Sequence, residues 1–215
     1  MKKLLFCSFL FLSFNVFGQE FNSFLIGASF SPEYSYRTLK STGINDEYVN
    51  FRNQNEIGKF GYTTGISIIS NVSKLFGIEI GIQYSNKGYQ TKKPILIMMP
   101  EPWFLYERNV TYEYEYLDIP LKANFTFGEN KLRYVATAGI IINFPINGTN
   151  YDFDFSPTIG AGIEYKITDK LILRAIPNFK HGILSNGLHS SNNRKAYNEY
   201  LWSAGIEFGV FYGIK

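Results

Sequence analysis

The sequence has little of what metal centres and disulfide scaffolds require. It contains one cysteine, Cys7, and two histidines, His181 and His189, in 215 residues. A single cysteine cannot form an intramolecular disulfide, and two distant histidines do not supply the ligands of a transition-metal site. The HExxH, P-loop and Gly-x-Ser-x-Gly patterns are also missing. We therefore expect no metal and no cofactor, so the stability of the fold must come from another source.

Long hydrophobic runs are equally scarce, because the sequence has one and it lies at the N-terminus. Lys2 and Lys3 precede an apolar stretch from Leu4 to Phe17. This stretch is shorter than the ~20 residues of a transmembrane helix. A charged start, a short apolar run and small or modest residues before a cut describe a secretory signal peptide. The sequence predicts a signal peptide over residues 1–18, cleaved near Gly18/Gln19, and one exported domain over residues 19–215.

Charge of one sign is also lacking in the exported domain. The full chain has 21 Lys and Arg against 18 Asp and Glu, and the predicted signal peptide removes two lysines and no acid. A near-neutral domain gives no reason to expect nucleic acid as a partner. Since no second apolar run is long enough for a helical span, insertion into a membrane would have to use strands.

What the sequence does have is alternation with a period of two. Ile78, Ile80, Ile82 and Tyr84 share one face of a segment whose other face carries a glutamate, a glycine and a glutamine. Such alternation predicts β-strands with one apolar face. Short turns near 71–75, 128–131 and 168–170 alternate with long polar segments near 38–57, 91–111 and 184–198, and no helix is predicted. This pattern predicts an all-β fold, an antiparallel up-and-down transmembrane β-barrel of about eight strands. The predicted strands are 24–36, 59–71, 76–90, 112–127, 132–144, 153–167, 171–183 and 199–213.

Alternation alone does not say which face is outside. A soluble, lipocalin-like barrel that binds a hydrophobic ligand in its interior has the same period. Glycines on the polar faces and few charges in mid-strand favour the apolar face outside, in contact with the lipid of an outer membrane. Aromatic residues near both strand ends favour it too, since such girdles mark the two lipid–water interfaces. The predicted girdles comprise Tyr34, Tyr36, Tyr62, Tyr84, Tyr89, Tyr112, Tyr114, Tyr200 and Trp202 toward the long loops, and Phe76, Phe125, Phe127, Tyr165 and Tyr212 toward the tight turns.

The outward apolar face places a balanced set of charges in the barrel interior. An eight-stranded barrel is only wide enough for side chains to fill it, and buried charges must be paired. We therefore predict a salt-bridge network that plugs the interior; a gated path for a small solute is the alternative. The predicted network comprises Glu79, Asp118, Lys122, Arg133, Glu164, Lys166, Arg174 and Glu207.

The segment over residues 92–108 is unusually apolar for a loop. Its residues include Ile95, Leu96, Met98, Met99, Trp103 and Phe104. It either folds over the barrel mouth or extends the strands above the membrane. Alternatively, it is an exposed contact surface for an envelope protein partner or lipid.

A barrel-borne hydrolase or acyltransferase is a further alternative, for which His189, beside two serines in a predicted outer loop, would be essential. Solvation of a serine-rich loop explains the dipeptide as well, so we expect a non-enzymatic protein.

In one stretch the apolar residues move from the even-numbered to the odd-numbered positions. Tyr112, Tyr114 and Tyr116 share one parity, whereas Leu117 and the apolar residues after it share the other. A β-bulge would absorb such a slip, and a proline is tolerated beside one. We predict a bulge between Tyr116 and Pro120.

The same stretch, Tyr114-Glu-Tyr-Leu-Asp-Ile-Pro-Leu-Lys122, resembles a segment common in the PorT-like group of small outer-membrane barrels of Bacteroidetes. The strand from Gly81 to Gly88 and the final segment from Gly205 are similar as well. The resemblance implies a barrel in a Gram-negative outer membrane. One founding member of the group is tied to protein secretion across that membrane, and most members have no assigned activity. The chain departs from the usual barrel-assembly pattern because it ends in Gly213-Ile-Lys215 rather than in an aromatic residue.

Overall fold

A closed, eight-stranded antiparallel barrel makes up the computed structural model, which describes residues 23–41, 43, 46–97, 104–147, 153–183 and 197–214. Each strand pairs with the next along the chain, and the last strand pairs with the first. The predicted fold class is confirmed. In chain order the described elements are β1 (Ser23–Ser41), α1 (Asp46–Asn55), β2 (Glu56–Asn71), β3 (Phe76–Ile97), β4 (Phe104–Phe127), β5 (Leu132–Pro145), β6 (Asp154–Lys166), β7 (Leu171–His181) and β8 (Tyr197–Ile214).

Tight turns join β2 to β3, β4 to β5 and β6 to β7 at one end of the barrel, which we call the turn end. The opposite end, the loop end, differs from the sequence-based expectation in two ways. The hairpin of β3 and β4 continues to the pair Ile97 and Phe104, so most of the long loop predicted over 91–111 is strand, and the alternative that this segment extends the strands is confirmed. Backbone pairing continues there because it does not depend on the apolar alternation from which the strands were predicted.

The helix α1 was also not predicted. Asp46 and Glu47 in its first turn and Arg52 in its last complement the helix dipole. Apolar periodicity is weak, because Val49 is the one buried apolar side chain among the described residues of this helix. The position of α1 therefore depends on its contacts with the barrel and not on a periodic apolar pattern in its own sequence.

The bulge predicted between Tyr116 and Pro120 is wrong. β4 keeps one register with β3 and with β5 along this stretch, although the pairs of Gly81 and Ile82 with β4 are missing opposite the proline. Tyr114 and Tyr116 point into the barrel together with Asp118 and Lys122, whereas Leu117 points outward. The strand is continuous and no residue is inserted. What changes along it is which of its two faces carries the apolar side chains.

A register shift occurs instead in β2, between Gly58 and Tyr62. Gly58 and Lys59 are both buried, as expected where an extra residue changes the facing of a strand. A Cβ on Gly61 would lie 2.0 Å from the backbone oxygen of Asn86, so the close approach of β2 and β3 here requires glycine.

The two faces of the wall have opposite chemistry. Large apolar side chains are exposed on the outside along every strand, and Phe60 reaches 81% exposure. The inside carries buried charged and hydroxyl side chains on all eight strands. The alternative of an apolar interior that holds a hydrophobic ligand is therefore wrong. Among the described residues, no helix is long and apolar enough to cross a membrane.

Candidate functional site

The interior is closed at the turn end by a small apolar cluster. Leu25, Ile69, Ile172 and Phe211 are buried against one another where β1, β2, β7 and β8 begin or end. The guanidinium carbon of Arg174 lies 4.8 Å from the Phe211 ring centroid, which joins this turn-end cluster to the charges above it.

The first charged layer lies directly above the turn-end cluster. The Lys122 Nζ is 2.9 Å from Glu79 Oε1 and 3.0 Å from Glu207 Oε2. Arg174 bridges Glu79 at 3.2 Å and Glu164 at 3.3 Å. Arg133 forms an ion pair with the other oxygen of Glu164. Three acids and three bases from six strands thus form one connected network.

A second charged layer crosses the middle of the barrel. Lys180 forms an ion pair with Glu33, and the hydroxyl of Ser203 donates to that carboxylate at 2.9 Å. The Lys87 Nζ lies 3.4 Å from Asp118 Oδ2 and 3.1 Å from Asn143 Oδ1. A cavity between these groups has a volume of about 10 Å³, which is roughly the room for one water molecule.

The third charged layer lies near the loop end. Arg37 bonds to Glu56 and, at 3.1 Å, to Glu199 Oε2, and Tyr89 stacks beneath its guanidinium at 3.7 Å. The Tyr114 hydroxyl donates to Glu199 Oε1 at 3.2 Å. Burial raises the pKa of Glu199 above its usual range, although Arg37 opposes the shift. Burial also raises the pKa of Tyr89.

The helix α1 covers the loop end. Its Val49 packs with Leu39 of β1 and Tyr197 of β8 in a buried loop-end cluster. The Asn53 side chain accepts from the Leu39 backbone N–H at 3.0 Å and donates to the Leu39 carbonyl at 2.9 Å. This pair of bonds fixes the helix to the backbone edge of β1 beyond its last pair with β2, which is Ser35 with Lys59. The charged layers therefore lie between two apolar clusters.

Most of the predicted network residues meet inside the barrel. Glu79, Asp118, Lys122, Glu164, Arg174 and Glu207 are buried and paired. Arg133 is half-buried and paired. Lys166 is half-buried at the turn end and forms no ion pair with any described residue.

The sequence analysis missed several interior charges: Glu33, Arg37, Glu56, Lys87, Lys180 and Glu199. The alternation in β1 indicates two of them, Glu33 and Arg37. They share one face with Ser29, Ser31 and Ser35, and mostly apolar residues lie between them.

The predicted girdles need one correction. Tyr34, Tyr62 and Tyr212 are exposed on the outer wall, as predicted. Tyr89 and Tyr114 instead point inward and pack with Tyr116, because Arg37 and Glu199 provide partners for their rings and hydroxyls inside. Tyr112 packs against the same cluster.

The other candidate residues are only partly described. The backbones of Ile95 and Leu96 belong to β3 and that of Phe104 to β4, whereas Met98, Met99 and Trp103 lie outside the described residues. His189 and the signal peptide lie outside them as well. Among the described residues no group of three acids, histidines or cysteines could hold a metal ion.

Two solved structures with a similar fold are outer-membrane proteins. OprG from Pseudomonas aeruginosa matches over 92% of this chain and 98% of its own, with 10% identity and a TM-score of 0.53. AlkL in lipid bilayers matches over 90% of both chains, with 10% identity and a TM-score of 0.51. No family model and no curated protein matches this chain. At these identities the likeness shows the fold, which is that of an outer-membrane barrel.

Proposed function

We propose that this chain is a non-enzymatic outer-membrane barrel whose interior is closed and whose outer surfaces act as an envelope component. The observation that carries the proposal is the stack of paired charged layers between two apolar clusters, inside a wall that is apolar on its outer face. A polar interior and an apolar exterior suit a barrel in lipid, where every backbone group must be paired within the sheet.

The position of the membrane follows from the outer face. On β4 the outward side chains are apolar from Phe127 to Leu117 and become glutamates at Glu115 and Glu113. This apolar stretch matches the ~9–11 tilted residues that span a bilayer. The third charged layer and α1 then lie above the membrane, on the extracellular side.

The closed interior gives the proposal its direct test. The mature protein, reconstituted in planar bilayers, should show no large steady channels, because solute would have to displace paired charges in every layer. A matched variant, Phe211→Ala with Arg174→Ala, removes the stacked pair at the turn end and should also show no large steady channels, because the second and third charged layers remain. Large steady channels in the wild-type protein would contradict the proposal.

We further propose that the chain belongs to the PorT-like group and contacts an envelope partner, with a role connected to protein secretion. The support is the Tyr114–Lys122 segment and the hairpin of β3 and β4, which extends well beyond the apolar belt to Ile97 and Phe104. Replacing residues 95–104 by a Gly-Ser linker of equal length should leave a folded barrel that no longer crosslinks to that partner. An unchanged crosslinking pattern would refute the contact.

Export and location are tested separately. We propose that residues 1–18 are removed and that the barrel resides in the outer membrane. The purified protein should begin at Gln19 by mass spectrometry and should migrate differently in gels with and without heating. Recovery in the soluble fraction would overturn the proposed location.

A further inference from the structure

The outer wall has a groove where β7, β8 and β1 meet near the loop end. The groove has a volume of about 310 Å³ and is lined by Thr38, Lys40, Phe179, His181, Tyr200 and Trp202. These residues lie at the height at which the outer face of β8 changes from apolar Trp202 and Tyr200 to Asn198. In a membrane barrel this height is the interface between acyl chains and head groups.

The groove is built by contacts among its own side chains. His181 stacks between Phe179, at 6.4 Å between ring centroids, and Tyr200, at 6.1 Å. The Trp202 Nε1 donates to Thr38 Oγ1 at 3.2 Å, which fixes the indole. The rings are therefore held in place before any ligand arrives.

The charge in this groove is positive. The Lys40 Nζ lies 5.2 Å from the Tyr200 ring centroid, and the side chain is exposed. Among the described residues no carboxylate forms an ion pair with Lys40. The groove thus places the Lys40 ammonium beside the His181 imidazole, which can donate to an oxyanion, and aromatic rings form its floor.

A second depression lies lower on the same wall. It has a volume of about 550 Å³, and its outward-facing lining is apolar except for Thr64. Ala28 and Ala175 form its base, and taller neighbours such as Phe30, Phe208 and Val210 form its sides. The exposed Ala204 and Ile206 lie between the groove and this depression on β8.

The spacing of the two features fits one lipid. Trp202 and Phe208 are six residues apart on β8, which is ~20 Å along a strand and about 15 Å along the membrane normal at the usual tilt. One leaflet of the hydrocarbon core is also about 15 Å thick. From these observations we infer that the outer wall of β7, β8 and β1 is a specific site for a phosphorylated acyl lipid of the surrounding membrane. Its phosphate lies at Lys40 and His181, and its acyl chain runs down the outer wall to the upper part of the alanine-based depression, at Phe208 and Ala175.

The inference rests on the proposed membrane location, and Trp202 provides a probe that reports on the site itself. In a Trp103→Phe background, Trp202 is the remaining tryptophan. The barrel is reconstituted in phosphatidylcholine bilayers that contain either brominated phosphatidic acid or brominated phosphatidylcholine with the same chains. Bromine quenches a nearby indole, so the ratio of quenching gives the relative affinity of the two lipids.

We expect phosphatidic acid to be favoured about five-fold, which corresponds to about 1 kcal/mol for one lysine near the head groups. Lys40→Ala should reduce the ratio toward one, whereas Lys92→Ala, an exposed lysine on the distant strand β3, should not change it. Ala175→Phe fills the depression and should lower the quenching by both brominated lipids, because their acyl chains are the same. Ala138→Phe, on the outer face of β5, is its matched control.

The outcomes separate the two proposals. A barrel that fails to insert, seen as loss of heat-dependent gel migration, overturns the membrane location. A folded, inserted barrel with a ratio near one overturns the lipid site alone. An equal fall of the ratio in Lys40→Ala and Lys92→Ala would show an effect of general surface charge and would also refute the site. Quenching that Ala175→Phe lowers no more than Ala138→Phe would refute it as well.

Discussion

Replacing Lys122 by methionine tests whether the interior charges are stable because they are paired. The Lys122 Nζ is shared by Glu79, at 2.9 Å, and Glu207, at 3.0 Å, and its side chain is 6% exposed. Methionine has a similar length and no charge. After the substitution Glu79 keeps Arg174, whereas Glu207 has no other ion pair among the described residues. The variant therefore leaves one buried carboxylate without a counter-charge.

The expected cost follows from that unpaired carboxylate. Removing one partner of a buried pair typically costs about 3–5 kcal/mol of the free energy of unfolding. With a urea dependence of about 2 kcal/mol per M, a loss of about 4 kcal/mol lowers the unfolding midpoint by about 2 M. Tryptophan fluorescence and the gel mobility of unheated samples both report this transition.

Two matched variants identify the cause. Lys170→Met removes an exposed lysine from a tight turn and should change the free energy of unfolding by less than about 0.5 kcal/mol. Adding Glu207→Gln to Lys122→Met removes the orphaned charge and should restore at least half of the loss. If Lys122→Met costs less than about 1 kcal/mol, or if the double variant is no more stable than the single one, pairing does not hold the interior together.

Three further predictions concern the rest of the interior. Because burial favours the protonated form of Glu199 in the folded state, its stabilising contribution is present below pH ~4 and is lost as pH rises. The unfolding free energy of Glu199→Gln relative to wild type should therefore increase between pH 4 and 7, and a difference independent of pH would refute this. Val49→Asp places a carboxylate in the loop-end cluster and should free α1, so that protease cleaves residues 46–55 faster, whereas Glu47→Gln on the exposed face should not. Gly61→Ala should lower the urea midpoint by roughly 1 M, because its Cβ cannot fit beside the Asn86 oxygen, and an unchanged midpoint would contradict the close approach.

The sequence predicts the barrel and the facing of its strands well, because lipid imposes one apolar face over the whole span. Alternation therefore placed Glu79, Lys122 and Glu207 on the inner face of the wall. Where the strands leave the lipid, the outer face becomes polar. The apolar residues therefore change from the inner face, at Tyr116, to the outer face, at Leu117, and this change looked like an inserted residue. The structure shows that the surroundings change there while the register does not.

Other parts of the site could not be predicted from local pattern. Glu56 lies in a segment that was predicted to be a long loop, and Glu199 is the first residue of a predicted strand. Closure of the barrel brings both to Arg37. The helix α1 is similar, since two hydrogen bonds from Asn53 to the Leu39 backbone fix it on β1. Such contacts join residues far apart in sequence, so neither the alternation of apolar residues nor the composition predicts them.

A closed interior has a consequence for where this protein can act. If the charged layers fill the space inside, recognition is restricted to the outer wall and the loop end. The groove with Lys40 and Trp202 lies on β7, β8 and β1, whereas the extended hairpin belongs to β3 and β4, on the other side of the ring. A lipid and a protein partner would therefore contact separate walls and would not compete for the same surface. The barrel could then hold a bound lipid on one side while its hairpin contacts a partner on the other.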